Sequence, residues 1–194
     1  MKYGPENFVL NDRGDINKFL SIKTTQLDEK RFKISQPYLI DRIVPFLGIN
    51  KNNYGMETHA KLTPVGKPLL HKYLSGNPHK ESWNYRTAVG KLTYLQGNTH
   101  IETSMAVHQT ARFFNNPMLY HEKDIRKLGR YLYHTNKGDI VHNSDISKGL
   151  ECYIDADFAV DWTQSDARNA DNVMSQTGMV IMYANFQIYW RSSL

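Results

Sequence analysis

The chain has 194 residues, with 24 Lys+Arg against 19 Asp+Glu and a formal charge of +5. Its 40% apolar and 12% aromatic content suits a packed core and excludes collagen-like, coiled-coil and wholly disordered classes. One cysteine, Cys152, excludes an intramolecular disulfide and a Cys-rich zinc site. The charge is uneven: residues 1–138 hold 21 basic and 11 acidic residues (+10), and residues 139–194 hold 3 and 8 (−5). The longest apolar run, Met179–Phe186, is broken by Asn185 and is too short to span a bilayer. The first residues lack the apolar stretch of a secretion signal, so a soluble intracellular protein of cytoplasm or nucleus is expected, with no membrane partner.

In chain order, Asn11-Asp12-Arg13-Gly14 is turn chemistry. Lys18–Thr25 and Arg31–Ser35 flank a polar tip and predict a β-hairpin within residues 1–35. From Ser35, a residue type that caps helices, Leu39, Ile40, Ile43, Val44 and Leu47 recur at helical spacing up to Gly48. Residues 49–81 show little periodicity and predict a long irregular connection. Three more helices are predicted between there and residue 140. Tyr85, Ala88, Val89, Leu92 and Leu95 mark the first, and Val107, Ala111 and Phe114 the second. Ile125, Leu128 and Leu132 mark the third, which Gly138 closes. Short links favour a small antiparallel bundle. After Gly138, Leu150, Cys152 and Ile154 alternate with Glu151, Tyr153 and Asp155 as a half-buried strand. Thr177–Tyr183 and Phe186–Arg191 predict two further strands around a turn at Ala184-Asn185. The fold class is therefore α+β: an N-terminal hairpin, a three- to four-helix bundle over 36–140, and an incomplete antiparallel sheet over 149–194.

Two groups of residues carry candidate chemistry. Lys123, Arg126, Lys127 and Arg130 lie opposite the apolar stripe of the third helix, where basic side chains suit a row of phosphates. Arg86, Lys91 and Arg112 lie on neighbouring segments. A solvated helix face is the plain alternative. Asp155 and Asp157, at i and i+2 on a strand, can face one Mg²⁺, a hard cation with oxygen ligands. A two-metal phosphodiester site needs further carboxylates, and Asp commonly just ends a strand. The eight histidines show no pair at metal-ligand spacing, and the aromatics at helical spacing (Phe113, Phe114, Tyr94, Tyr131, Tyr133) read as core rather than base-stacking groups. Neither a nucleophile elbow nor a phosphate-binding glycine loop occurs.

The order of these segments resembles the Pol polyprotein of Ty1/copia-type retrotransposons over nearly the whole chain. Phe8–Ile22 resembles the family stretch that follows the polymerase active site, and Ile34-Ser35-Gln36-Pro37-Tyr38-Leu39-Ile40 resembles its LSQP.YI. Thr63-Pro64 matches a TP, and Tyr85–Leu95 resembles YR..VG.L.YL. Ala106-Val107, Arg112-Phe113, Pro117, His121 and Arg130–Thr135 keep the family order. Tyr153–Ala159 resembles Y.DADWAG, and Ser175–Gly178 with Ile188–Ser192 resembles S.SG…I.W.S.

The resemblance implies that residues 1–35 end a reverse-transcriptase palm. Residues 36–140 would form thumb and connection helices that hold a template–primer duplex, and 149–194 would begin an RNase H domain. Asp155 would then be that domain's first metal-binding carboxylate, with Mg²⁺ as the parent family's cofactor. The departures are equally specific. No YxDD motif occurs, the later RNase H carboxylates lie beyond the match, and Thr99-His100-Ile101-Glu102-Thr103 replaces a TRPDI. Ser21 and Val160 stand where the family has Gly, and Ser193 where Lys is usual. A truncated, decayed copy is expected, inert in catalysis alone and binding no Mg²⁺ stably, with residual RNA–DNA or DNA duplex binding. The alternatives are a metal-dependent RNase H-type nuclease, and an interaction module that pairs through an open sheet edge.

Overall fold

The computed structural model describes residues 18–50, 63–64, 76–80, 82–135, 140–158 and 175–193. The expected turn at 11–14, most of the 49–81 connection and Gly138 lie outside the described residues.

The N-terminal strands form β1 (Lys18–Phe19), β2 (Ile22–Gln26) and β3 (Arg31–Ser35). The run expected to be a single strand from Lys18 is broken at Leu20-Ser21, which join β1 to β2 in a two-residue turn with φ of 46° and 67°. The β2–β3 hairpin turns at Asp28, whose carboxylate accepts from the backbone N–H groups of Lys30 (3.0 Å) and Arg31 (2.8 Å). Its Oδ2 also accepts from Arg31 Nε at 2.6 Å, and these contacts hold the Asp28 carboxyl below the usual range. A further strand, β4 (Ile140–Asn143), pairs antiparallel with β3. The hairpin is thus part of a four-stranded sheet ordered β1-β2-β3-β4, closed by a strand more than a hundred residues later in sequence.

Between β3 and β4 run α1 (Pro37–Phe46), α2 (Tyr85–Gln96), α3 (Ser104–Ala111) and α4 (Leu119–Thr135). Gln36, not Ser35, is the N-cap of α1 and makes no side-chain cap bond; Pro37 opens the helix where its missing N–H costs nothing. Just beyond the α1 C-cap, Gly48 takes φ +69°, the left-handed conformation that glycine reaches freely. Asn84 caps α2, accepting from Thr87 N at 2.9 Å. The predicted apolar stripes meet in one core. Ile40, Ile43, Val44 and Leu47 face Ala88, Val89, Leu92 and Leu95, joined by Ala106, Val107, Ile125, Leu128 and Leu132. Gly129 lets α4 approach the end of α1: a Cβ there would sit 2.6 Å from Ile49 Cδ1 and 2.7 Å from Leu47 Cδ1. Of the aromatics, Trp83, Phe113 and Tyr131 are buried, whereas Tyr94, Phe114 and Tyr133 are exposed and stand outside the expected core.

The last three strands, β5 (Leu150–Asp157), β6 (Gln176–Tyr183) and β7 (Phe186–Ser193), form a second antiparallel sheet ordered β5-β6-β7. Its β6–β7 hairpin turns at Ala184-Asn185, both at positive φ, as the turn chemistry predicts. Trp190 Nε1 donates to Gln96 O on α2 (2.8 Å). Asn185 Nδ2 donates to Asn143 O on β4 (3.0 Å), and Phe186 stacks on His142 with centroids 4.8 Å apart. Among the described residues, no helix is long and apolar enough to cross a membrane.

Candidate nucleic-acid interface and the acidic strand

The basic side chains of α4 differ in their surroundings. Lys123 is exposed, but Arg126, Lys127 and Arg130 are half-buried. Arg126 reaches inward: its Nε lies 3.8 Å from Oε1 of the buried Glu122, and its Nη2 lies 3.8 Å from where a Gly48 Cβ would sit. Glu122 is itself engaged, since its Oε2 lies 3.0 Å from His79 Nδ1. The Nε2 of that imidazole donates to Trp83 O at 2.8 Å, so His79 and Glu122 tie the segment before α2 onto α4. Lys127 lies near Asp124; burial raises that carboxyl's pKa, and the lysine opposes the shift. The stripe is thus not uniformly solvated: Arg126 serves the fold, whereas Lys123, Lys127 and Arg130 recur at i, i+4 and i+7 above buried Ile125, Leu128 and Leu132.

Arg86 lies in the first turn of α2 and is exposed. Its Nε donates to Phe114 O (3.2 Å) and its Nη2 to Asn115 Oδ1 (2.7 Å), while the guanidinium lies over the Phe114 ring, 5.3 Å from the centroid. These bonds fix the loop after α3 and hold the charge at one place on the surface. Lys91 is turned to a local task, with its ammonium 3.8 Å from the Phe46 ring centroid; burial and then Arg42 lower its pKa.

Asp155 and Asp157 lie on β5, opposite Gly178 and Gln176 on β6, and both are exposed. Alternation along the strand puts the two carboxylates on one face. β5 runs on to Asp157, so Asp155 stands within the strand rather than at its end. Among the described residues no three His, Cys, Asp or Glu side chains gather as metal ligands. Two carboxylates on one strand do not meet what a two-metal phosphodiester site requires. What the fold adds is Glu102, in a 3₁₀ turn (Ile101–Thr103) before α3. It lines, with Asp155, Ser104, Met105, Gly178 and Trp190, a cleft of about 330 Å³ between that turn and the second sheet. Glu102 also lies 2.7 Å from His100 Nδ1. No spacing in the sequence links Glu102 to Asp155, or His79 to Glu122; only the packing of α3 and α4 does.

The chain is 28% identical over 200 residues to the retrovirus-related Pol polyprotein from transposon TNT 1-94 of Nicotiana tabacum, a match covering 97% of this chain and 14% of that protein. It is 26% identical over 186 residues to a Saccharomyces cerevisiae protein ascribed to transposon Ty5-1, covering 95% of this chain and 56% of that one. The chain thus spans less than two thirds of either relative. No family model matches the chain. No solved structure matches it either. Similarity along almost the full chain to two transposon proteins bears out the resemblance to a retrotransposon Pol polyprotein.

Proposed function

We propose that the chain is a Ty1/copia-type reverse-transcriptase/RNase H segment of Pol that holds a nucleic-acid duplex and performs no catalysis alone. Residues 1–35 correspond in this reading to the end of the palm, 36–140 to thumb and connection, and 149–194 to the first strands of RNase H. The observation that carries it is the placement of Lys123, Lys127 and Arg130 on α4, a helix anchored by Ile125, Leu128 and Leu132 in the core. Seven residues of helix span roughly 10 Å. That matches about three phosphate steps of one strand at ~3.4 Å each. Arg86, pinned at Asn115, adds a fixed cation elsewhere on the helical body. No step is assigned to Asp155 and Asp157, and Mg²⁺ has no complete ligand set among the described residues.

Three neutralised phosphates give a slope of log K against log salt of about −2.7 on B-DNA. The Lys127→Ala, Arg130→Ala double variant is expected to weaken binding to a blunt RNA–DNA or DNA duplex and to flatten that slope by about 1.8. Fluorescence anisotropy across a salt series reads both. Absence of duplex binding at about 50 mM salt, the low end where such contacts are strongest, overturns the proposal.

A further inference from the structure

We infer that the tie between His79 and Glu122 is a proton-operated clamp: it joins the entry of α2 to α4 while the pair holds two protons, and it loosens as pH rises. Residues 76–80 lie along the start of α4. Pro78 pairs with Met118 in an isolated antiparallel bridge, His79 N donates to Pro117 O at 3.0 Å, and Leu119 N donates to Asn77 O at 2.9 Å. The His79 ring then spans two elements. Its Nδ1 meets Glu122 Oε2 on α4 at 3.0 Å, and its Nε2 meets Trp83 O, just ahead of the α2 N-cap Asn84, at 2.8 Å. Both side chains are withdrawn from water, with 13% of His79 and 4% of Glu122 exposed.

Both partners of the ring are acceptors. A backbone carbonyl has no proton to give, and an ionised carboxylate has none either. Neutral imidazole carries one N–H, so it satisfies one partner and sets a lone pair against the other at hydrogen-bond distance. The geometry therefore requires one proton more than a neutral His79 beside an ionised Glu122 supplies. That proton sits on the imidazole, making an ion pair, or on the carboxyl, which then donates to Nδ1. Either form fills both contacts. Removal of the proton breaks one of them and leaves buried polar atoms unsatisfied, which is costly where water is scarce. The other charged and titratable groups around the pair do not take the proton's place. On α4, Arg126 Nε stands 3.8 Å from Oε1, the carboxylate oxygen that does not meet the ring. From α2, the Tyr85 ring lies edge-on to His79 with centroids 5.9 Å apart, and its hydroxyl donates to Thr110 O. Burial first, and then Asp124 and Tyr120, raise the Tyr85 pKa, so this phenol stays neutral. Lys80, the next residue in the chain, is exposed.

The test is hydrogen exchange of single amides in the full chain, corrected for the intrinsic rate. It runs from about pH 5 to 9, which brackets the ordinary histidine value of about 6.5. Protection of the His79 and Leu119 amides, which bond Pro117 O and Asn77 O, is expected to fall as pH rises. The expected factor is roughly tenfold, what the loss of one hydrogen bond to a charged group is worth. The amide of Leu128, in the middle of α4, should show no such fall. His108 and His142, whose pKa values burial lowers, act in the opposite sense, because they weaken the fold toward acid. Glu122→Gln supplies the missing donor without a titrating proton: its carboxamide NH₂ donates to the Nδ1 lone pair while Nε2–H keeps Trp83 O. In that variant the protection of both amides should stay level across the range. Unchanged protection in the parent chain overturns the inference, whether or not the variant folds. So does a fall in Glu122→Gln as large as in the parent, since another group would then be titrating. No readout involves nucleic acid, so the outcome is separate from that of the duplex experiment.

Discussion

The helical body and the β5–β7 sheet use the same kinds of apolar residue in opposite ways. In the body, Leu92, Leu95, Ile125, Leu128 and Leu132 come from α2 and α4, and each is almost wholly removed from water. In the sheet, Leu150, Ile154, Ile188 and Tyr189 remain largely exposed although their strands are fully formed. Both regions are built on regular backbone pairing, within helices in one and along the β5–β6–β7 ladders in the other, and they differ most in side-chain burial. The body holds its shape by packing. The sheet is held by its own ladder and by a few ties: Trp190 to Gln96, Asn185 to Asn143, and Phe186 against His142. A tightly packed helical body and an exposed sheet are thereby divided between two parts of one chain.

The largest expected effect separates the regions directly. Leu128→Ala removes a side chain with 0% exposure from the centre of the core and is expected to destabilise the chain by about 2–5 kcal/mol. Ile154→Ala deletes the same kind of apolar bulk from a residue 69% exposed, and should stay within about 0.5 kcal/mol. Urea unfolding of the two variants beside the parent measures both. Equal losses would mean that Ile154 is covered and that the contrast between the regions is wrong.

How much of this was readable beforehand follows the range of the interactions. The stripes of α2 and α4 are set by residues three and four apart, so Tyr85–Gln96 and Leu119–Thr135 emerge from spacing alone. The turn at Ala184-Asn185 is likewise local. β4 carries too few residues to signal itself, and its partner β3 lies far back in the sequence. The turn at Leu20-Ser21 is hidden because it puts both residues at positive φ, where Gly, Asn or Asp is the usual signal and Leu and Ser are not. In the candidate site, the positions of Lys123, Arg126, Lys127 and Arg130 follow from helical phase. The inward turn of Arg126 does not, because it depends on Glu122 and on the end of α1. That Asp155 and Glu102 line one cleft is set by how α3 and the turn before it dock on the sheet, which no local pattern encodes.

A smaller effect is expected at the first of two tight turns that, among the described residues, place non-glycine residues at positive φ. Ser21 has φ 67° and Leu20 φ 46°, in a hairpin whose tip is tied down by Tyr94 Oη donating to Leu20 O at 2.7 Å. A side chain in the left-handed region costs roughly 1–2 kcal/mol that glycine avoids. Greater freedom in the unfolded chain takes back part of that gain. Ser21→Gly is therefore expected to stabilise by about 0.5–1 kcal/mol, raising Tm by roughly 1–4 °C. At the second turn Asn185, at φ 66°, tolerates this conformation better than most residues and holds Asn143 O, so Asn185→Gly should show no comparable gain. A Tm for Ser21→Gly at or below that of the parent would show that the turn is not strained.

The smallest expected effect is the dependence of stability on pH, and it concerns two seams, one between the two sheets and one between the helical body and the second sheet. His142, buried on β4 against Phe186, has its pKa lowered by burial. His108 on α3 is lowered by burial first and then by Arg191 of β7. Above about pH 6.5, the ordinary histidine value, both imidazoles are neutral in folded and unfolded chains, and their contribution to stability is complete. As pH falls below that value the unfolded chain takes up protons that the folded chain resists. Stability therefore declines until the pH has passed the lowered folded values. Asp124, whose carboxyl is raised by burial, acts in the opposite sense at more acidic pH, because the folded chain takes its proton more readily. Thermal melts from pH 7.5 to 5 should show a falling Tm, and His142→Phe, which keeps an aromatic ring against Phe186, should make the fall shallower. An unchanged slope in that variant would remove His142 from the seam's titration and leave His108, beside Arg191, as the group responsible.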